Sequence, residues 1–230
     1  MQEKYTKIAQ DFLSESRLAP YRQDGVPERN ALARYLWNVA VSESLYSPLN
    51  LFEVSLRNAI HNAMVTVVGK ENWFESFRFT QHSSQMLESS IKKLKKLNRG
   101  GTPYPPGKIV AELNFGFWTS LFKKEYERAD TRLIRKGITA VFPQLDPRFR
   151  NRKYIHRRMD VIRVLRNRVY HYERIIHWAD LAEQHELATS MLGWMDPLLP
   201  ELNNQVDRFP AVHTMGIAPY LERIKSNLCE

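Results

Sequence analysis

The chain has 230 residues and a mass of 27.1 kDa, enough for one large domain or two small ones around a buried core. Its 43% hydrophobic and 26% charged content excludes a disordered or fibrous protein, and a net charge of +9 ranks polyanions first among partners, nucleic acid before an anionic membrane surface. A single cysteine, Cys229, excludes an intramolecular disulfide framework and a cysteine-rich zinc site, and no apolar run approaches the roughly 20 residues that span a bilayer.

Helical punctuation then runs the length of the chain. Pro27-Glu28 reads as a first turn, continued over Asn30 to Tyr46 by Leu32, Tyr35, Leu36 and Val39 at helical spacing. Ser47-Pro48 predicts an N-cap followed by proline at the first helical position. From there Phe52, Leu56, Ala59, Ile60, Ala63 and Val67 form one apolar stripe, and Gly69 is the expected stop. A third helix is expected over Ser83 to Leu97. Arg99 to Gly107, rich in glycine and proline, predicts a loop within the domain. Further helices are expected over Ile109–Phe122, Thr131–Phe142, Lys153–Ile176 and Trp178–Met195, with Pro197 and Pro200 ending the last. Beyond Asn203 the chain reads as loop apart from a short helix over Tyr220–Asn227. Alternating strand patterns, internal repeats and heptads are missing from the sequence. The expected class is all-α, a helical bundle in a single domain over 1–230, with its core at about 28–196 and a peripheral segment at 197–230.

Charge is concentrated in one place. Between Arg148 and Arg174 ten Lys/Arg face two acids, Asp160 and Glu173, a net +8 in one segment. Two readings stand: a solvated helix face, or a nucleic-acid surface. The interleaved Phe149, Tyr154, His156, Tyr170, His171 and Tyr172 favour the second, because cations track phosphates while aromatic faces stack unpaired bases. On a helical wheel Ile162, Leu165, Val169, Tyr172 and Ile176 share the core stripe. Arg163, Asn167, Tyr170, His171 and Arg174 fall opposite. Arg166 lies about 140° round from His171, so a direct pair on one straight helix is not expected. Both can still line one cleft if Arg166 reaches around or a second subunit supplies half the site. The R-x4-H spacing also occurs at Arg208 and His213, where Phe209-Pro210 is expected to break any helix. Asn directly after the Arg is found only in Arg166-Asn167-Arg168-Val169-Tyr170-His171.

The run RNRVYHYERI resembles the R-N-x-x-x-H signature of Abi-like (abortive infection) proteins, within the HEPN superfamily of ribonucleases. Glu53, Leu56, Arg57 and Asn58 match that family's E-x-x-L-R-N element, and Glu112, Phe115, Gly116, Phe117 and Trp118 its E-L-x-F-G-x-W block. The three elements stand in the family's order and span about Tyr35 to Ile176. Tyr170 and Tyr172 stand where small residues or histidine are commoner in the family.

The resemblance implies an all-α HEPN bundle with additional peripheral helices, frequently dimeric, that cleaves RNA without metal. It implies Arg166, Asn167 and His171 as catalytic residues: His171 for proton transfer, Arg166 for the phosphate, Asn167 to orient the imidazole or bind phosphate. Arg57 and Asn58, with Glu53, are additional site candidates; the other reading is a helix-surface ion pair between Glu53 and Arg57. Phe115, Phe117 and Trp118 read most simply as core aromatics, with Gly116 permitting close helix packing. Arg157, Arg158, Arg163, Arg168, Tyr170 and Arg174 are the expected RNA contacts. No cofactor and no metal is expected: the zincin start at His185-Glu186 fails at Thr189, Gly101 to Lys108 departs from a P-loop in spacing and composition, and Cys229 has no evident activating partner.

The expected function is a metal-independent endoribonuclease in phage defence or acting as a toxin. The alternatives are a non-catalytic RNA-binding module and a HEPN module that binds nucleotides or a partner. The expected partners are RNA, a second copy of the chain and an antitoxin or other regulator, with no membrane. The first residues carry no apolar leader, so the expected setting is cytoplasmic.

Overall fold

The structure, a computed structural model, describes residues 7, 11–97, 104–129, 137 and 139–226. Cys229 and most of the helix expected over Thr131–Phe142 lie outside the described residues, as do positions 99–103 of the expected loop. The class is all-α, with no strand among the described residues. The helices are α1 (Glu15–Leu18), α2 (Glu28–Ser44), α3 (Tyr46–Val68), α4 (Gln81–Leu97), α5 (Pro106–Glu112), α6 (Phe115–Ser120), α7 (Glu125–Ala129), α8 (Arg152–Tyr170), α9 (Leu181–Met195), α10 (Leu198–Asn204), α11 (Phe209–Met215) and α12 (Ala218–Ser226). Chain contacts define two compact units. Unit one comprises Met1–Pro48, Leu165–Glu186 and Val206–Glu230; unit two comprises Leu49–Val164 and Leu187–Gln205.

In unit one α2 packs with α11 and α12. Its buried side chains include Leu18, Tyr21, Val41, Leu165, Val169, Ile175, Leu181, Phe209 and Ile224. Trp37 donates Nε1–H to the Val212 carbonyl at 3.1 Å, fastening α2 to α11. The segment beyond Asn203, expected as loop apart from a helix over Tyr220–Asn227, carries α11 as well as that helix, α12, and buries Phe209 and Ile224. Pro210 starts α11 rather than breaking it, because a proline in the first turn forfeits an N–H that has no helical partner. Pro200 is accommodated in the first turn of α10 for the same reason.

In unit two the core is aromatic. Trp73, Phe74, Phe117, Trp118 and Tyr126 are buried, and Trp73 packs edge-on against Phe74 and Phe79. Tyr126 donates its hydroxyl to Ser83 at 2.8 Å, and Ser83 in turn lies 2.9 Å from the Ser120 hydroxyl, so the buried polar atoms satisfy one another.

Three boundaries differ from expectation. Tyr46 is already helical, so Ser47 does not cap α3; Leu45 alone separates α2 from α3. The helix expected over Ile109–Phe122 is broken at Leu113, whose ψ is 130°. Asn114 then caps α6, its Oδ1 accepting from the Phe117 amide at 3.0 Å. A Cβ on Gly116 would stand 3.2 Å from that same Oδ1, so this glycine makes room for the cap rather than for a neighbouring helix. Third, α8 stops at Tyr170, not Ile176.

His61, in line with Glu53 and Arg57 on α3, is a structural acceptor: its Nδ1 takes the Trp73 Nε1–H at 3.0 Å. Burial lowers its pKa below the ordinary histidine value, against a smaller opposing pull from Glu71. His156 and His177 are lowered in the same direction, burial again being the largest cause. The unfolded chain binds these protons near pH ~6.5 while the folded chain resists them. Stability is therefore complete above about pH 6.5 and is lost as pH falls toward the folded values. The urea midpoint should drop between about pH 7 and pH 5, and less steeply in His61→Asn, as measured by tryptophan fluorescence.

Candidate functional site

Helix α8 buries Ile155, Met159, Ile162, Leu165 and Val169 along one stripe. The two residues expected to extend that stripe do not: Tyr172 is 75% exposed, and Ile175 rather than Ile176 is fully buried. The reason is the way α8 ends. The His171 amide still bonds the Asn167 carbonyl at 2.9 Å, but the Tyr172 amide turns back to Val169 at 3.1 Å and the Glu173 amide to Arg168 at 2.9 Å. This pairing is a Schellman termination, with His171 at the C-cap and Tyr172 in the left-handed position at φ 57°. Glycine ordinarily fills that position, and a tyrosine there is strained. Without a glycine in the sequence, the helix end gave no signal.

Asn38 on α2 holds the chain that follows. It is buried, its Oδ1 accepts from the Ile175 amide at 2.8 Å and the Ile176 amide at 3.3 Å, and its Nδ2 donates to the Glu173 carbonyl at 3.2 Å. Arg174 adds an Nη1–H bond to the Pro20 carbonyl and stands 5.6 Å from the Tyr21 ring centroid. Sequence reasoning missed Asn38 because nothing local marks an asparagine in the middle of an amphipathic helix as a long-range cap.

Among the predicted catalytic residues, Arg166 and Asn167 are half-buried on the last turns of α8 and His171 is exposed just past them. The Arg166 guanidinium lies over the Tyr170 ring, 4.1 Å from its centroid. No hydrogen bond joins Arg166 to His171, in keeping with their separation on the wheel, and the His171 imidazole bonds no described residue. Tyr170 faces Tyr46 with ring centroids 6.2 Å apart and planes 27° from parallel. These rings border a cleft of about 550 Å³ in unit one, also lined by Tyr35, Asn38, Ser42 and Tyr172.

The additional candidates belong to unit two. Arg57 is half-buried and donates Nη1–H to the Ala111 carbonyl at 3.4 Å, leaving its buried Nε without a partner. Asn58 is exposed and Glu53 half-buried.

The expected RNA contacts are not equivalent. Arg163 is paired with Asp160 at 2.6 Å, and Arg168 with Glu173. Arg158 stacks on Tyr154 at 3.3 Å, whereas Arg157 is exposed. Elsewhere in the basic segment Arg148 pairs with Asp146 and Arg152 with Glu127. His185, singled out as a false zincin start, is buried, 2.7 Å from the Asp207 carboxylate and stacked on Phe209. Among the described residues no three His, Cys, Asp or Glu side chains gather where a metal ion could sit, and no helix is long and apolar enough to cross a membrane.

Asn38→Ala should cost roughly 1–3 kcal/mol in chemical denaturation, because it strands buried backbone groups at residues 173–176. Asn38→Asp should recover only part of that loss, since it keeps the acceptor for Ile175 and Ile176 but faces the Glu173 carbonyl with no donor.

No curated protein and no solved structure matches the chain significantly. A family model does match, that of the Abi-like proteins, over residues 2–177. The match covers α1 to α8, including Glu53 to Asn58, Glu112 to Trp118 and the whole Arg166–His171 run, and the chain belongs to the Abi-like protein family.

Proposed function

We propose that the chain is a metal-independent endoribonuclease of the HEPN kind, acting in phage defence or as a toxin. The observation that carries this reading is the end of α8, where a strained Schellman turn leaves His171 exposed one turn beyond Asn167, in the same unit as the Arg166 guanidinium and the tyrosine-lined cleft. In the proposed reaction a neutral His171 takes the proton of a ribose 2′-hydroxyl, and the 2′-oxygen bonds the adjacent phosphorus. The 5′-oxygen leaves with a proton from a second acid, and a 2′,3′-cyclic phosphate remains. Arg166 neutralises the charge gathering on the phosphate oxygens. One motif histidine per chain makes His171 of a second copy the natural source of the acid, hence a two-fold homodimer.

A second reading, RNA binding without cleavage, draws on the Arg166 side chain resting over Tyr170, where it makes a platform for stacking. One assay separates the two. Purified protein should degrade total RNA equally with and without EDTA, and His171→Ala should lose at least about 100-fold in rate while its melting temperature holds. Mixing Arg166→Ala with His171→Ala protomers should restore part of the activity if two copies share the site. RNA left intact by the unaltered protein supports binding alone.

Ion pairing also ranks the basic residues. Arg157→Ala should reduce the slope of log affinity against log salt by about 0.7, the value for one contact to single-stranded phosphate. Arg163→Ala should change it less, because Asp160 already holds that guanidinium. Filter binding of single-stranded RNA across a salt series measures both.

A further inference from the structure

We propose that the cleft of unit one holds one unpaired base of a single-stranded RNA, stacked on Tyr172. The proposal rests on the RNA reading above and adds the place where the strand is gripped. Its volume of about 550 Å³ lies in the range of small-ligand sites, and Val39 and Val169 supply apolar wall between the tyrosines.

Three features favour a base over another occupant. Tyr172 is strained at φ 57° and 75% exposed, so its ring is spent neither on the core nor on an unstrained turn; it stands at the cleft. Tyr46, 55% exposed, stacks on Tyr170 and so extends the aromatic surface at the cleft. Arg17 on the cleft wall brings positive charge to phosphates flanking the base, while Glu43, the one acid among the described lining residues, is paired with Arg208. Asn38 lines the cleft too, but its Oδ1 already accepts two backbone bonds, so the base is held by stacking rather than read at its edge.

The test uses the full chain and a 2′-O-methyl decamer, which has no 2′-hydroxyl to cleave, carrying one central 2-aminopurine and abasic residues at the other nine positions, so that no second base can slide into the cleft. Binding should quench the probe, and an abasic residue at that position should weaken affinity roughly 5- to 150-fold, the worth of one base–aromatic stack. Tyr172→Gly should weaken binding similarly while its melting temperature stays level or rises, since glycine accepts the left-handed backbone. Tyr172→Phe should keep the affinity, and the abasic strand should bind Tyr172→Gly no worse than the intact strand does. Equal binding of abasic and intact strands, or unaltered affinity in Tyr172→Gly, overturns the proposal. So does free AMP binding as tightly as the strand, which would make the cleft a nucleotide pocket. Cleavage of unmodified RNA is followed in parallel. Cleavage with base-independent binding sinks the cleft and leaves the nuclease, whereas base-dependent binding without cleavage sinks the nuclease and leaves the cleft.

Discussion

A chain that leaves a helix and turns back into the core must find partners for its own backbone groups, and past α8 one amide side chain satisfies three. Asn38 takes the amides of Ile175 and Ile176 and donates to the carbonyl of Glu173. With those bonds made, the chain can leave α8 at once, bury Ile175 and begin α9 after ten intervening residues. The placement of His171 and Tyr172 follows from this. The hydrogen-bonded closure behind them over-determines the turn, which is how a tyrosine persists at a backbone angle that glycine usually occupies. The candidate site is thus built on a rigid helix end, and its strain is held by a neighbouring helix of the same unit.

The basic segment behaves differently from its formal charge. Both acids inside it are engaged, Asp160 with Arg163 and Glu173 with Arg168. Acids outside it claim Arg148 and Arg152. Arg150 and Arg174 spend their donors on backbone carbonyls, at Pro143 and Pro20 respectively. Several of these cations therefore serve the fold as much as the field. Exposed pairs of this sort contribute little stability and are screened by salt, so they leave the segment attractive to a polyanion at long range. What they change is which cations are ready for close contact, and Arg157 is more so than Arg163.

Several residues that look chemical in the sequence are architectural in the fold. His61 is an acceptor for the Trp73 indole, and His185 a buried partner of Asp207. Gly116, in the E-L-x-F-G-x-W block, leaves room for the Asn114 amide that starts α6. His171 stands apart from these: it is exposed, and no described side chain bonds its imidazole. That contrast is what a proton-transfer group needs, since a histidine committed to a structural hydrogen bond has little freedom to exchange its proton with a substrate.

Sequence alone determined the helical class, the core stripe of α8 through Ile162, Leu165 and Val169, and the uniqueness of the Arg166–His171 run, because each depends only on residue type and spacing along one chain. The divergence of Arg166 from His171 followed from the same 100° step. Tertiary structure decided the rest. Whether α8 ran on to Ile176 turned on an asparagine more than 130 residues earlier, which no local pattern encodes. The break at Leu113 was written locally in Asn114, yet the aromatic run around it read equally well as one continuous helix. The tyrosine cleft could not be read from spacing, because Tyr35, Tyr46 and Tyr170 come together only when α2 and the end of α8 are packed in one unit. Helical periodicity says which face of a segment is buried; it carries no information about which other segment buries it.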